Sequence, residues 1–186
     1  MITIVSLWLP ILLSAVLVFA ASTVIHMVLR YHRNDFSALP DEATLAEAFR
    51  KAKVGPGNYV IPRCESMAEM REPAVLEKYE KGPVGFVTLL PTGPPSMGKS
   101  LGLWFAFSLA AGVVVAYVAS RTLTPGTDYL QVFRVSGTVA FLAYAGAEPI
   151  GSIWKGVRWG TTLRHMLDGL IYGLVTAGAF GWLWPR

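Results

Sequence analysis

Four apolar runs, at about 2–29, 101–120, 129–150 and 166–184, constrain this chain more than anything else in it. A hydrocarbon core about 30 Å thick is crossed by about 20 residues of α-helix at 1.5 Å rise per residue. Each run meets or comes close to that length. In lipid no water is available to peptide groups, so a spanning segment must bond its own backbone as a helix. The expectation is an all-α membrane protein of four transmembrane helices. A small α/β insert lies between the first and second, giving a division into 1–30, 31–100 and 101–186.

Composition agrees. Of 186 residues, 53% are apolar and only 15% charged, against about 25% charged in soluble domains; mean hydropathy is +0.47. The net charge of +4 could suit nucleic acid, but the cations flank the apolar runs instead of forming one basic tract, so no nucleic-acid partner is expected. Cys64 is the only cysteine, so no intramolecular disulfide can form. The first run lacks a charged leading region and exceeds the 7–15 apolar residues typical of a signal peptide. It reads as a retained anchor, with Pro10 tolerated near one end.

Lys and Arg collect on the cytoplasmic side of membrane proteins. Arg30, His32 and Arg33 follow the first run, Lys99 precedes the second, and Lys155, Arg158 and Arg164 lie between the third and fourth. This places the insert in the cytoplasm and both termini outside, in a bacterial inner membrane. Trp8, Tyr117, Tyr129, Trp182 and Trp184 then mark the outer interface, and Trp104, Trp154 and Trp159 the inner one.

Within the insert, Asp41 can cap a helix running to about Lys53, with Leu45, Ala48 and Phe49 on one face. Gly55-Pro56-Gly57 stops it, and Tyr59-Val60-Ile61 reads as extended. Pro73 suits the first turn of a helix through Lys81, with Gly82 as its C-terminal cap, and 84–90 is the best strand. So few large apolar side chains make a thin core that leans on the bilayer or a partner.

Helices in lipid associate where small residues let backbones approach. The fourth run has Gly169, Gly173, Ala177 and Gly181 at four-residue spacing. The second has Ser108, Gly112, Ala116 and Ser120, and the third Ser136, Ala140, Ala143 and Ala147. These stripes predict packing within one bundle in preference to a seam between two copies.

Three patterns bear on function. Gly93-Pro94-Pro95-Ser96-Met97-Gly98-Lys99-Ser100 matches the phosphate-loop pattern and resembles the Gly-Pro-Pro loop of AAA-type ATPases. Ser96 departs from the usual glycine, a membrane span follows, and no strand ending in Asp is present to hold Mg²⁺. The segment therefore reads as a Pro-rich turn with Ser96 as N-cap, and nucleotide is not expected. A second pattern is a polar cluster at the inner membrane face. Ser22, His26 and Arg30 recur every four residues, Glu148 ends the third helix, and Arg164, His165 and Asp168 open the fourth. Ionisable groups near the bilayer are costly and usually paired, so these residues are either register-fixing ion pairs or a proton-handling mouth. Arg134 snorkels outward or pairs with Asp128. Third, Cys64, Met67 and Met70 share one side if that stretch is helical; soft ligands of this kind suit Cu(I), but packing explains them better. No metal or cofactor is expected.

The 22–32 segment, Tyr59-x-x-Pro62-x-Cys64, Gly82-Pro83-x-Gly85-Phe86 and the Gly93-Pro94-Pro95 turn carry a likeness extending over nearly the whole chain. So do Phe141-Leu142-Ala143-Tyr144-Ala145-Gly146 and the terminal Phe180-Gly181-Trp182-Leu183-Trp184-Pro185. The chain resembles an uncharacterised family of small bacterial four-helix integral membrane proteins. That resemblance implies an inner-membrane location and assigns no residue a role. The expected function is non-enzymatic: an accessory, scaffold or assembly component in the lipid bilayer, meeting a membrane-protein partner or a second copy of itself. The alternative is a small oligomeric transporter or channel whose inner mouth is the polar cluster. An enzyme acting on a lipid or quinone stands third.

Overall fold

The computed structural model describes residues 2–186. A short 3-10 turn at Val5–Leu7 leads into α1 (Trp8–Thr23), which continues as a π-helix over Val24–Leu29. Then follow α2 (Glu42–Lys51), β1 (Gly57–Ile61), α3 (Pro73–Lys81), β2 (Gly85–Leu89), α4 (Met97–Thr122), α5 (Tyr129–Ala145), α6 (Glu148–Lys155) and α7 (Trp159–Trp182). Two compact units result: one of Met1–Asp35 with Ser96–Arg186, and an insert of Phe36–Pro95.

The first unit is an up-and-down bundle in which α1 packs on α4 and α7, and α5 on α4 and α7. Pro10 falls in the first turn of α1, where its missing N–H goes unneeded. Val5–Leu29 and Met97–Thr122 are long and apolar enough to cross a membrane. The other two apolar runs differ from their expected form. The third does not continue to 150: α5 stops at Ala145 after 17 residues, and a separate helix starts at Glu148. Pro149 explains the break, because it suits the first turn of a helix and cannot sit inside a longer one. The fourth helix begins at Trp159, ahead of 166, because helix formation continues through polar residues where the apolar run does not. Two helices, then, meet the spanning criteria by length and apolarity.

The core runs the length of the bundle. Leu7, Val115, Val132 and Phe180 are fully buried towards one end, and Val18, Ile25 and Tyr172 form a second cluster towards the other. Backbones approach most closely between α5 and α7. A Cβ on Gly169 would lie 2.6 Å from the Ala145 Cβ, and one on Gly173 would meet the Phe141 nitrogen at 3.2 Å and the Gly137 carbonyl at 3.3 Å. Likewise a Cβ on Gly181 would press on the Tyr129 ring at 2.7 Å, and Gly112 faces Ile11 of α1. Ser108, Ala116 and Ala177 are buried alongside. The stripe expected on α5 bends away: Ser136 and Ala140 are buried, but Ala143 and Ala147 are exposed. The edge of α5 that meets α7 is instead Gly137, Phe141 and Ala145, four residues apart and set against Gly173 and Gly169.

The insert is built on a two-stranded antiparallel sheet pairing Gly57 with Leu89 and Ile61 with Gly85. Asp41 caps α2 by accepting the Thr44 N–H, though Leu45 on its expected face remains 42% exposed. Pro73 opens α3, and Gly82 closes it at φ 65°, a conformation glycine adopts without strain. Val75 is the one buried side chain among the insert's described residues. Val75→Ala is therefore expected to remove about 1.5 kcal/mol from the insert alone. Limited proteolysis of the solubilised protein should show faster cutting within 36–95 and unchanged fragments of the bundle; equal cutting rates would contradict this.

Candidate functional site

Polar residues converge where α1 ends and α7 begins. The π-helical turn at Val24–Leu29 breaks the four-residue periodicity, and Arg30 then reverses the chain at φ 52°. Two consecutive turns follow, with Arg33 N–H bonding the Arg30 carbonyl and Asp35 N–H the His32 carbonyl. They carry Tyr31, His32 and Asp35 to the second and third turns of α7. There Arg164 and Asp168, four residues apart, share a face.

His32 sits between two carboxylates. Its Nδ1 lies 2.5 Å from Asp35 Oδ2, and its Nε2 lies 2.8 Å from Asp168 Oδ2. The second contact has ion-pair distance but not hydrogen-bond alignment, so Nε2 is buried without a hydrogen-bond partner. The Tyr31 hydroxyl donates to Asp168 Oδ1. Arg164 holds the other oxygen of Asp35 through Nε at 2.8 Å and through Nη2, and Nη2 also reaches the Thr161 hydroxyl at 3.3 Å. His165 bridges outward, with Nε2 3.4 Å from Asp35 Oδ2 and Nδ1 3.4 Å from Glu148 Oε2. The His26 ring stacks on His32 with centroids 4.8 Å apart.

Burial grades across the cluster. The side chains of Asp35 and Asp168 are 4% and 7% exposed, and those of Glu148 and His165 are 37% and 43% exposed. Burial alone would raise the Asp35 pKa, but hydrogen bonds from His32 and Arg164, with their charges, outweigh it and hold the carboxyl down at about 2. Burial, reinforced by the Asp168 carboxylate, pushes the Tyr31 phenol upward. With a proton on each nitrogen, His32 would serve both carboxylates. With one on Nδ1 alone, Nε2 turns a free lone pair towards Asp168. The arrangement can thus exchange a proton or accept a cation.

Five of the six residues expected at the inner face meet here: His26, Glu148, Arg164, His165 and Asp168. Arg30 does not; it is exposed, and it makes no ion pair among the described residues. The π-helical turn is the reason, since it removes the i, i+4 relation that would have put Arg30 under His26. Glu148 opens α6 instead of ending the third helix, and Arg164 lies beyond the first turn of α7. Sequence reasoning missed Tyr31, His32 and Asp35 as members; their signal is Tyr-His-x-x-Asp directly after an apolar run.

Other expectations resolve differently. Cys64, Met67 and Met70 do not share a helix: only Glu69–Arg71 forms a 3-10 turn there, and Cys64 Sγ contacts the Tyr79 hydroxyl at 3.8 Å. Ser96 stands at the N-cap of α4 but makes no side-chain capping bond. The strand before Gly93 pairs antiparallel with β1, unlike the parallel sheet from which phosphate loops project. Asp128 accepts the Leu130 and Gln131 N–H groups at the start of α5. Arg134 flanks an outer groove with Phe133 and Phe141. Comparison with protein-family models, with curated proteins and with solved structures returns no match for this chain.

Proposed function

We propose that this chain is a multi-pass protein of a bacterial inner membrane, with four spans, both termini outside and the insert in the cytoplasm. It acts as a non-enzymatic accessory, scaffold or assembly component. Four spans are supported by the outward side chains of the two helices that fall short on apolar length. Leu163, Leu167, Leu170 and Leu174 form an exposed stripe on α7, and Leu130 and Leu142 are exposed on α5. Such a surface suits lipid and not water.

The observation that carries the assembly reading is the insert itself. It keeps one side chain buried among its described residues while Leu39, Val84, Phe86 and Leu90 are each more than half exposed. A unit of that kind gains most of its apolar burial from what it binds. Purified in mild detergent from native membranes, the intact chain should bring down a stoichiometric membrane-protein partner or a second copy. Phe86→Asp should release it without altering the bundle's elution. A chain that purifies alone and monomeric would overturn the reading.

The transporter alternative draws on the buried carboxylates at one end of the bundle. Against it stand Leu7, Val115, Val132 and Phe180, fully buried at the other end, where a pathway would have to pass. Proton or ion flux through proteoliposomes, abolished by His165→Ala with Asp168→Asn, would favour it over assembly.

A further inference from the structure

We infer that His26, His32 and Asp168 form a binding site for a divalent transition-metal cation of the Zn²⁺ class, at the end of the bundle where α1 meets α7. The inference is independent of the assembly reading. One ligand atom from each of these three side chains lies within 4.8 Å of the others. Ligands at about 2.1 Å from a tetrahedral ion are separated by about 3.4 Å, so binding requires the exposed His26 ring to turn out of its stack on His32 and the 2.8 Å gap between His32 Nε2 and Asp168 Oδ2 to open by about 0.6 Å. Two imidazoles and one carboxylate are a donor set that zinc uses where it keeps its fourth position open.

Three features separate a built site from a chance cluster. Asp35 accepts at His32 Nδ1, so in the neutral ring the proton stands on that nitrogen and Nε2 carries the lone pair. A carboxylate behind a histidine is the usual outer partner of a metal ligand, fixing its tautomer and its aim. Next, Nε2 is the nitrogen left buried without a hydrogen-bond partner; a cation bound by it and by Asp168 Oδ2 would satisfy both once their separation widens. Finally, Tyr31 engages Asp168 Oδ1 and so leaves Oδ2 to face His32. The π-helical turn contributes too. Such turns are rare and gather at functional sites, and this one contains His26.

A second triad, His32 with Asp35 and His165, is also close enough to be considered. Its carboxylate is already engaged by Arg164 and by His32 Nδ1, so a cation there would sit against a guanidinium. The triad with Asp168 faces no such charge; Arg164 serves it only through Asp35. Asp35 and Tyr31 are positioning residues, not ligands.

The test uses the full-length protein, free of any histidine tag, in detergent and stripped with a chelator. Titration with Zn²⁺ followed by calorimetry should give one ion per chain, and Co²⁺ should give the visible absorption of a low-coordinate N/O site. His26→Ala should weaken Zn²⁺ binding at least 100-fold and abolish the Co²⁺ bands. Its exposed position leaves the fold intact, which elution volume and thermal midpoint would check. Asp168→Asn should do the same where it remains folded. Asp35→Asn should weaken binding 10- to 100-fold, and His165→Ala should leave it within threefold. Absence of Zn²⁺ binding by the folded wild type, wild-type affinity in His26→Ala, or loss of binding in His165→Ala would each overturn the proposal.

Discussion

Gly169→Leu should destabilise the solubilised bundle by about 3 kcal/mol or more, read as a lowered thermal midpoint in tryptophan fluorescence. The reason is that the neighbours of Gly169 are mostly backbone. Its missing Cβ would stand 2.6 Å from the Ala145 Cβ and 3.2 Å from both the Ala145 nitrogen and the Tyr144 carbonyl carbon. A flexible side chain could swing away, but a helix backbone moves only by separating α5 from α7. Overpacking of this kind ordinarily costs 1–3 kcal/mol, and a whole leucine in a space closed to a methyl group belongs at the upper end or beyond. Gly178→Ala is the matched control. A Cβ there meets only the Tyr129 hydroxyl at 3.9 Å, so the variant should be neutral or gain up to about 1 kcal/mol from helix propensity. Equal midpoints for Gly169→Leu and wild type would mean that α5 and α7 do not pack this closely.

Asp35→Ala should cost about 3 kcal/mol, measured with chelator present so that no bound cation contributes. Removing one partner of a buried ion pair leaves the other charge uncompensated, at about 3–5 kcal/mol. Here Arg164 is 30% exposed, and water recovers part of the loss, which sets the lower figure. The loss has two recipients, because Asp35 also accepts at His32 Nδ1. A double variant with Arg164→Met separates them. The two substitutions should couple by about 1 kcal/mol or more, the range seen for residues in one network. Strict additivity would show that the Asp35–Arg164 contact contributes nothing to the fold.

Much of this was legible in the sequence where one local rule decided the outcome. The Asp41 cap, the Pro73 start and the Gly82 stop each follow from a single residue's chemistry, and the helix and strand positions in the insert fell out of them. Packing glycines were readable from spacing, because close approach requires small residues wherever two helices meet. Legibility failed where the chain departed from regular geometry. Four-residue spacing put Arg30 beneath His26, but the π-helical turn rotates Arg30 out of the cluster and the reversal after it brings Tyr31, His32 and Asp35 in. No periodic reading anticipates a wider hydrogen-bonded turn, since it arises from tertiary contacts. The break at Gly146 was missed for a related reason. An apolar run reports what lipid or core will accept, whereas Pro149 reports where a helix can begin.

Two columns run side by side on α7, and they do different things. Gly169, Gly173, Ala177 and Gly181 repeat so evenly that a shift of four residues, about 6 Å, would set one small residue against the place another left. Smoothness of that sort sets how near two rods lie but says little about their vertical alignment. The adjacent column of Asp168, Tyr172 and Thr176, all buried, has no such self-likeness: acid, phenol and small hydroxyl cannot trade places. It therefore works as a key cut with unequal teeth, and α7 seats at one height because His32 and Tyr31 recognise only the acidic tooth.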